Sequence, residues 1–393
     1  MSMRADHPTP HVSHRPISDS PPVLTLCRGF MLAGSMKFWL GIGISAGLLV
    51  LFLFTVNFRD MLDALADANY WYLMPAAGLY LVSTWFRTLR WTVLLHHMKP
   101  VQTRRLFPVV VVGYMANNLL PMRLGELVRS YYVSEREGIS KASALVTIVI
   151  ERVFDALVLL AFIAIIAAFV PLTGLTRSFA DQSGIPAAVL VAAGSLPFLG
   201  AFGMLVLFAT APTRTQALLV RLAAPLPLRL REVFAGLVTM FLHGLAPLRS
   251  PQMLAKLFIL SVPIWLAEAA VFFLMGYPFG FHHVFGNAWD MGVTMVLVTA
   301  VTNIGSSVPA APGGLGLFEI ITREMLVLGP LGVVDRSVAA GYAVVLHAVI
   351  LAPMIVLGQV FLWVGNISLG KLSSKGQAGE VVSTGRTEPA GDA

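Results

Sequence analysis

The sequence predicts an all-α polytopic integral membrane protein. About six full spans are expected with two re-entrant or broken segments, or about eight helices in all, arranged as an inverted repeat. Three observations lead there. Of the 393 residues, 57% are hydrophobic and only 12% charged, with a mean hydropathy of +0.79; soluble domains carry about 25% charged residues. Several apolar runs exceed about 18 residues, enough to cross roughly 30 Å of hydrocarbon at about 1.5 Å per residue. Lysine and arginine, the source of the net charge of +7, gather between alternate runs as they do in cytoplasmic loops. A soluble enzyme, a disordered chain and a nucleic-acid-binding domain are thereby excluded. The single cysteine, Cys27, excludes an intramolecular disulfide and a cysteine-based metal site.

Residues 1–35 are polar and rich in proline (Pro8, Pro10, Pro16, Pro21, Pro22) and are expected to form a disordered cytoplasmic tail. Met36 is a second candidate start. The domain of interest is expected over 36–366, with a disordered cytoplasmic tail over 367–393. The first span runs from about Phe38 to Val56; it is too long for a signal-peptide core, and Asn57-Phe58-Arg59-Asp60 is no cleavage site. The second span, about Trp71 to Leu95, leads to a basic loop with Lys99, Arg104 and Arg105. Leu106 to Pro121 is apolar but short, and basic residues flank it on both sides (Arg123, Arg129, Arg136, Lys141). A re-entrant hairpin entered from the inside satisfies that pattern. The third span covers about Ala142 to Val170 and the fourth about Ile185 to Ala209.

The stretch from Arg214 to Arg249 is basic, hence inside, and includes a helix lying on the membrane surface. The fifth span runs from about Met253 to Met275, and the loop from Gly276 to Asp290 has no lysine or arginine. Met291 to Leu328 must begin and end outside, and it contains Pro309, Pro312, Gly313, Gly314 and Gly316, which break a helix. It reads as a second re-entrant element; two short full spans satisfy the same parity. The last span, about Val338 to Val364, ends inside, before Lys371, Lys375 and Arg386.

The two broken segments resemble each other. The first runs Asn117-Asn118, Pro121, Arg123, Gly125, Glu126; the second runs Asn303, Pro309, Gly313, Gly314, Gly316, Glu319. Interrupted segments at corresponding places in two inverted halves point to a transporter binding site, although Asn, Pro and Gly also gather wherever membrane helices break. Charge lies at membrane depth as well. Glu151 and Asp155 share a face of the third span, and Arg152 is within reach of Asp155. Each such charge costs about 2.5–3.5 kcal/mol at mid-bilayer unless it faces protein, water or a partner. Internal ion pairs that glue helices together are the plain alternative to a functional site. Arg87 and Arg90 close the second span, Glu268 sits in the fifth, Glu319 and Arg323 follow the glycine-rich break, and His347 in the last span reads as a helix-packing hydrogen bond. Arginine suits bidentate phosphate contacts, and backbone N–H groups at a helix start near Pro312–Gly316 suit an anion. No Walker A, H-E-x-x-H, G-x-S-x-G or C-x-x-C motif occurs, so neither a metal nor another cofactor is expected.

Taken together, Trp85-Phe86-Arg87-Thr88-Leu89-Arg90-Trp91, Asn117 to Arg129, Glu151-Arg152-Val153-Phe154-Asp155 and Pro309 to Glu319 resemble the flippase-like transmembrane domain of lysylphosphatidylglycerol synthases. The resemblance covers about Lys37 to Asn366. It implies a multi-pass protein of the bacterial cytoplasmic (inner) membrane that moves, or helps to move, an anionic or zwitterionic lipid between leaflets. Relatives include the flippase half of the multiple peptide resistance factor, and stand-alone members beside hopanoid-biosynthesis proteins or glycosyltransferases that use polyprenyl-phosphate lipids. The soluble aminoacyl-transferase domain of the two-domain synthases is not found in this sequence, so a lysyl head group is not implied.

Three functions are then in play. A non-enzymatic lipid translocator predicts a cavity lined by Arg87, Arg90, Arg123, Glu126, Arg129, Glu151, Arg152, Asp155 and Glu319, with Asn117, Asn118, Asn303, Gly313, Gly314 and Gly316 at the breaks. An intramembrane lipid-modifying enzyme would have to use Glu151 and Asp155. A non-catalytic partner of a separate lipid-modifying synthase or glycosyltransferase predicts closed internal ion pairs and docking through the Arg214–Arg249 stretch. Membrane lipids are the expected partners, and nucleic acid is not.

Overall fold

The computed structural model describes residues 70–120, 124–172, 184–222, 228–307 and 312–365. The two tails, the first span, Pro121, Arg123 and Pro309 lie outside the described residues. Among the described residues the chain forms helices α1 (Leu73–Leu95), α2 (Thr103–Leu119), α3 (Gly125–Glu137), α4 (Lys141–Phe169), α5 (Ala187–Thr210), α6 (Pro212–Leu222) and α7 (Leu228–Gly244). There follow α8 (Pro251–Gly276), a single turn α9 (Phe281–Val284), α10 (Ala288–Gly305), α11 (Leu317–Val327) and α12 (Arg336–Val364). Five of these, α4, α5, α8, α10 and α12, are long and apolar enough to cross a membrane. With 23 residues α1 is equally long, but it carries Ser83, Thr84, Arg87, Thr88 and Arg90.

Side chains cap the starts of α10 and α12. Asn287 Oδ1 accepts the Asp290 N–H at 2.9 Å at the start of α10. The Asp335 carboxylate accepts from the Ser337 and Val338 N–H groups at 2.8 and 3.2 Å at the start of α12.

The chain builds the same four-helix plan twice. A long helix (α1, α8) is followed by a pair separated by a break (α2/α3, α10/α11) and then by a second long helix (α4, α12). Packing respects the repeat: α1 lies on α8 across the centre, α2 packs on α12, and α10 packs on α4. The halves are inverted. Tyr72, before α1, stacks on Tyr277, after α8, at 5.9 Å, so these two helices run in opposite directions. Lys99 after α1 meets Glu137 at the end of α3, which puts the open end of the first hairpin on the basic side of the molecule. Phe361, near the end of α12, meets Phe107 near the start of α2, so α12 finishes on that side. The second hairpin therefore opens toward the other side. Helices α5, α6 and α7 connect the halves; α7 packs on α4, and in α5 only Leu205 and Ala209 are buried.

The first broken element differs from the sequence reading. Its return limb is not contained in Leu106–Pro121. The chain runs as α2 to Leu119 and returns as α3 from Gly125, so the basic flank with Arg129 and Arg136 is itself helical. At about 1.5 Å per residue α3 and α11 span roughly 20 and 16 Å, too short for about 30 Å of hydrocarbon. In the second element α10 is long enough to cross and α11 is its half-length return, so two full spans do not form there. Glycine decides how tightly the first pair closes. A Cβ on Gly125 would run into the Gly113 carbonyl and Asn117, and one on Gly113 would meet Arg129 Cβ at 3.0 Å. Close backbone approach through small residues is the usual basis of helix packing in lipid, where the hydrophobic effect supplies no force between helices.

Candidate functional site: a buried ion network beside a polar cavity

The network starts on α1. Arg87 and Arg90, one turn apart, both point toward α8 and α4. Arg87 Nη2 donates to Glu268 Oε2 at 2.5 Å and lies 3.6 Å from Asp155. Arg90 Nη1 donates to Asp155 Oδ1 at 2.7 Å and to Ser261 Oγ at 2.6 Å. Asp155 also accepts from Trp265 Nε1 at 3.1 Å. From the hairpin, Arg129 Nη1 reaches Glu151 Oε2 at 2.8 Å, and Glu126 lies 3.2 Å from Arg152. The guanidinium of Arg129 covers Trp91 at 3.7 Å and that of Arg87 covers Trp265 at 4.5 Å.

Four arginines thus face four carboxylates, and the cluster is formally neutral. That balance is what permits burial: an unpaired charge here would lose its hydration without replacement. The spacing explains how the sequence achieves it. Arg87 and Arg90 at i, i+3 and Glu151 and Asp155 at i, i+4 each present one helical face, and the crossing of α1, α4 and α8 brings those faces together.

A cavity of about 150 Å³ opens where the two breaks meet. Arg87, Arg152 and Glu268 supply its charged wall; Asn117, Asn118, Asn303 and Ser306 supply amides and a hydroxyl. Gly313 and Gly314 form part of the lining, together with Tyr80, Tyr114, Trp265, Phe318 and His347. The second break touches the first, because Gly313 lies against the Asn118 carbonyl. Its shape needs glycine: Gly313, Gly314 and Gly316 have φ of 63°, 78° and 86°.

His347 fastens this break. Its Nδ1 lies 2.7 Å from Glu319 Oε1 and its Nε2 lies 2.9 Å from the Gly313 carbonyl. The other oxygen of Glu319 accepts the Gly316 N–H at 2.7 Å. The start of α11 is therefore occupied by the chain's own carboxylate, which corrects the expectation that the Gly316 N–H is offered to an anion. Arg323, four residues on, lies 2.8 Å from Glu324.

The predicted lining needs a second correction. Of the nine charged residues expected around one cavity, only Arg87 and Arg152 line it. Arg90, Glu151 and Asp155 form a paired layer behind them, held by the ion pairs of Arg90 with Asp155 and of Arg129 with Glu151. Glu126 and Arg129 border a separate space of about 10 Å³ between α2 and α3. Glu319 acts through His347, and Arg123 lies outside the described residues. Asn117, Asn118, Asn303, Gly313 and Gly314 do line the cavity. Sequence reasoning missed Tyr80, Tyr114 and Trp265, since an aromatic in an apolar helix carries no signal of which face it occupies.

Comparison with known proteins now places this architecture. A family model described as the lysylphosphatidylglycerol synthase TM region matches residues 38–358. The chain belongs to that family. Among curated relatives of this lysylphosphatidylglycerol synthase transmembrane-region protein is the Glycosyltransferase AglD of Haloferax volcanii, 26% identical over 331 residues, which is 79% of this chain and 51% of the relative. A UPF0104 membrane protein of Methanocaldococcus jannaschii is 27% identical over 122 residues, 30% of this chain and 36% of that protein. Another, of Methanothermobacter thermautotrophicus, is 34% identical over 96 residues, 24% and 28% of the two chains. The chain spans about half the length of the first relative and about a third of the others.

Proposed function

We propose that this family member is a non-enzymatic translocator that moves, or helps to move, an anionic or zwitterionic lipid head group across the cytoplasmic membrane, with both termini inside. The observation that carries this reading is the polar cavity between two inverted halves, at the junction of both helix breaks. Transporter sites of the inverted-repeat type lie at such junctions. The head group would enter the cavity while the acyl chains stay in lipid, since about 150 Å³ has no room for them. Arg152 and Arg87 offer the phosphate contacts. The α1–α4 and α8–α12 halves are the two bodies whose rocking would alternate access.

A second reading has its own support. The network at the cavity is formally neutral, its four arginines matched by four carboxylates, and one relative is named a glycosyltransferase of which this chain spans about half. On that reading the chain is a membrane partner of a lipid-modifying synthase or glycosyltransferase, and the polar stretch from Arg214 to Arg249 is its docking surface. Proteoliposome assays with head-group-labelled lipids separate the two. Movement by the wild type and its loss in Arg152→Ala and Glu268→Gln variants that remain folded support the translocator. No movement of any lipid by folded protein moves the weight to the partner reading. Reporter fusions at residues 1 and 393 test the orientation; an external reporter at either end would reverse it.

A further inference from the structure

The smaller space of about 10 Å³ between α2 and α3 is bordered by Val110, Gly113, Asn117, Gly125, Glu126 and Arg129. A water molecule needs about 10–15 Å³ and two to four polar partners, so this space takes one molecule and no more. The polar partners are present. Asn117 Oδ1 and the Nε and Nη2 groups of Arg129 are buried and have no hydrogen-bond partner among the described residues. Arg129 turns Nη1 to Glu151 at 2.8 Å, its guanidinium covers Trp91 at 3.7 Å, and its side chain is 5% exposed. Asn117 Oδ1 lies inside the hairpin, so close to Gly125 that a Cβ there would strike it. Buried donors and acceptors are seldom left bare.

The wall decides what kind of molecule fits. It carries both signs of charge. An anion would be set against the Glu126 carboxylate and the Asn117 oxygen; a cation would be set against Arg129 and Arg152. The groups that need partners are guanidinium N–H donors and one amide oxygen. Only a neutral molecule that accepts and donates at once serves both. Tyr114, Asn117 and Arg152 border this space and the larger cavity alike, which gives solvent a way in.

We propose that one ordered water molecule is bound here, accepting from Arg129 and donating to Asn117 Oδ1, and that it ties α3 to α2 beside the ion network. The site stands independently of what the larger cavity carries.

The first test is a crystal structure of the full chain at a resolution that shows ordered waters, with a second crystal soaked in bromide. Density for a single atom within hydrogen-bond distance of Arg129 and Asn117 Oδ1, without an anomalous bromide signal, supports the proposal. An empty space, a side chain in it, or bromide in it overturns the proposal. The second test asks whether the water holds the hairpin together. Val110 is fully buried. In a dry void the extra methylene of Val110→Ile would add contacts and leave the unfolding midpoint in detergent unchanged or raised. If it displaces a water, Arg129 and Asn117 lose that partner, and the midpoint should fall by about 2 °C or more. Overpacking alone would also lower it, so the substitution is repeated on Asn117→Leu, which has already lost the acceptor. The fall should then be clearly smaller. An equal or larger fall there, or no fall in the otherwise wild-type chain, overturns the stabilising role.

Discussion

Removing one charge from the Arg90–Asp155 pair should cost far more than removing both. Asp155 lies 2.7 Å from Arg90, 3.6 Å from Arg87 and 3.7 Å from Arg152, and its side chain is 7% exposed. Asp155→Asn keeps an acceptor for Trp265 Nε1 but leaves four arginines against three carboxylates. Breaking a buried pair in this way costs about 3–5 kcal/mol, because the remaining charge is uncompensated. Arg90→Met leaves three arginines against four carboxylates and should cost a similar amount. In the double variant the remaining groups still match one to one: Arg87 with Glu268, Arg129 with Glu151, Arg152 with Glu126. Ser261 keeps its bond to the Leu257 carbonyl at 2.7 Å. The double variant should therefore cost only about 1–3 kcal/mol, the price of rearranged polar contacts, against about 6–10 kcal/mol for the summed singles. Equilibrium unfolding in mixed micelles of mild detergent and dodecyl sulfate, analysed as a double-mutant cycle, measures that coupling. Single costs below about 1 kcal/mol that simply add would refute the reasoning, since that is the behaviour of hydrated surface pairs.

Three other outcomes follow from the geometry. Gly125→Ala should destabilise the protein by about 1–3 kcal/mol through overpacking against the Gly113 carbonyl; thermal unfolding in detergent checks it, and an unchanged midpoint would mean that α2 and α3 are not in close backbone contact. Glu319→Gln and His347→Ala should each cost about 1–3 kcal/mol and be strongly non-additive, because both act on the Gly313–Gly316 turn; additive effects would separate the two residues. His97, beyond the end of α1, has its ionisation held below the usual histidine value of 6.5 by partial desolvation, an effect its bonds to the Leu94 and His243 carbonyls only partly offset. The folded state thus binds fewer protons than the unfolded one. Stability should fall as pH drops through about 6.5 and level off below the folded value, and His97→Gln should remove that slope in unfolding measured across pH.

Much of this architecture is legible in the residue order. Helix α1 begins within two residues of its expected start and ends where expected, and α4, α5, α8 and α12 lie within about two residues of theirs, because long apolar runs bounded by charge leave few alternatives in a bilayer. The twin Asn–Pro–Gly–Glu segments correctly signal two breaks and an inverted repeat. The return limb α3 is not legible, since Arg129 and Arg136 read as a basic cytoplasmic flank until Arg129 is seen buried against Trp91 and Glu151. Hydropathy counts charges one at a time, whereas the fold neutralises them in pairs drawn from four helices. For the same reason the sequence identifies Arg87, Glu151, Arg152 and Asp155 as costly and therefore notable, but not which of them borders a cavity. That choice belongs to helix crossing. Where α1, α4 and α8 converge, the charges meet as pairs; where the two breaks meet, Arg87, Arg152 and three asparagines line a cavity.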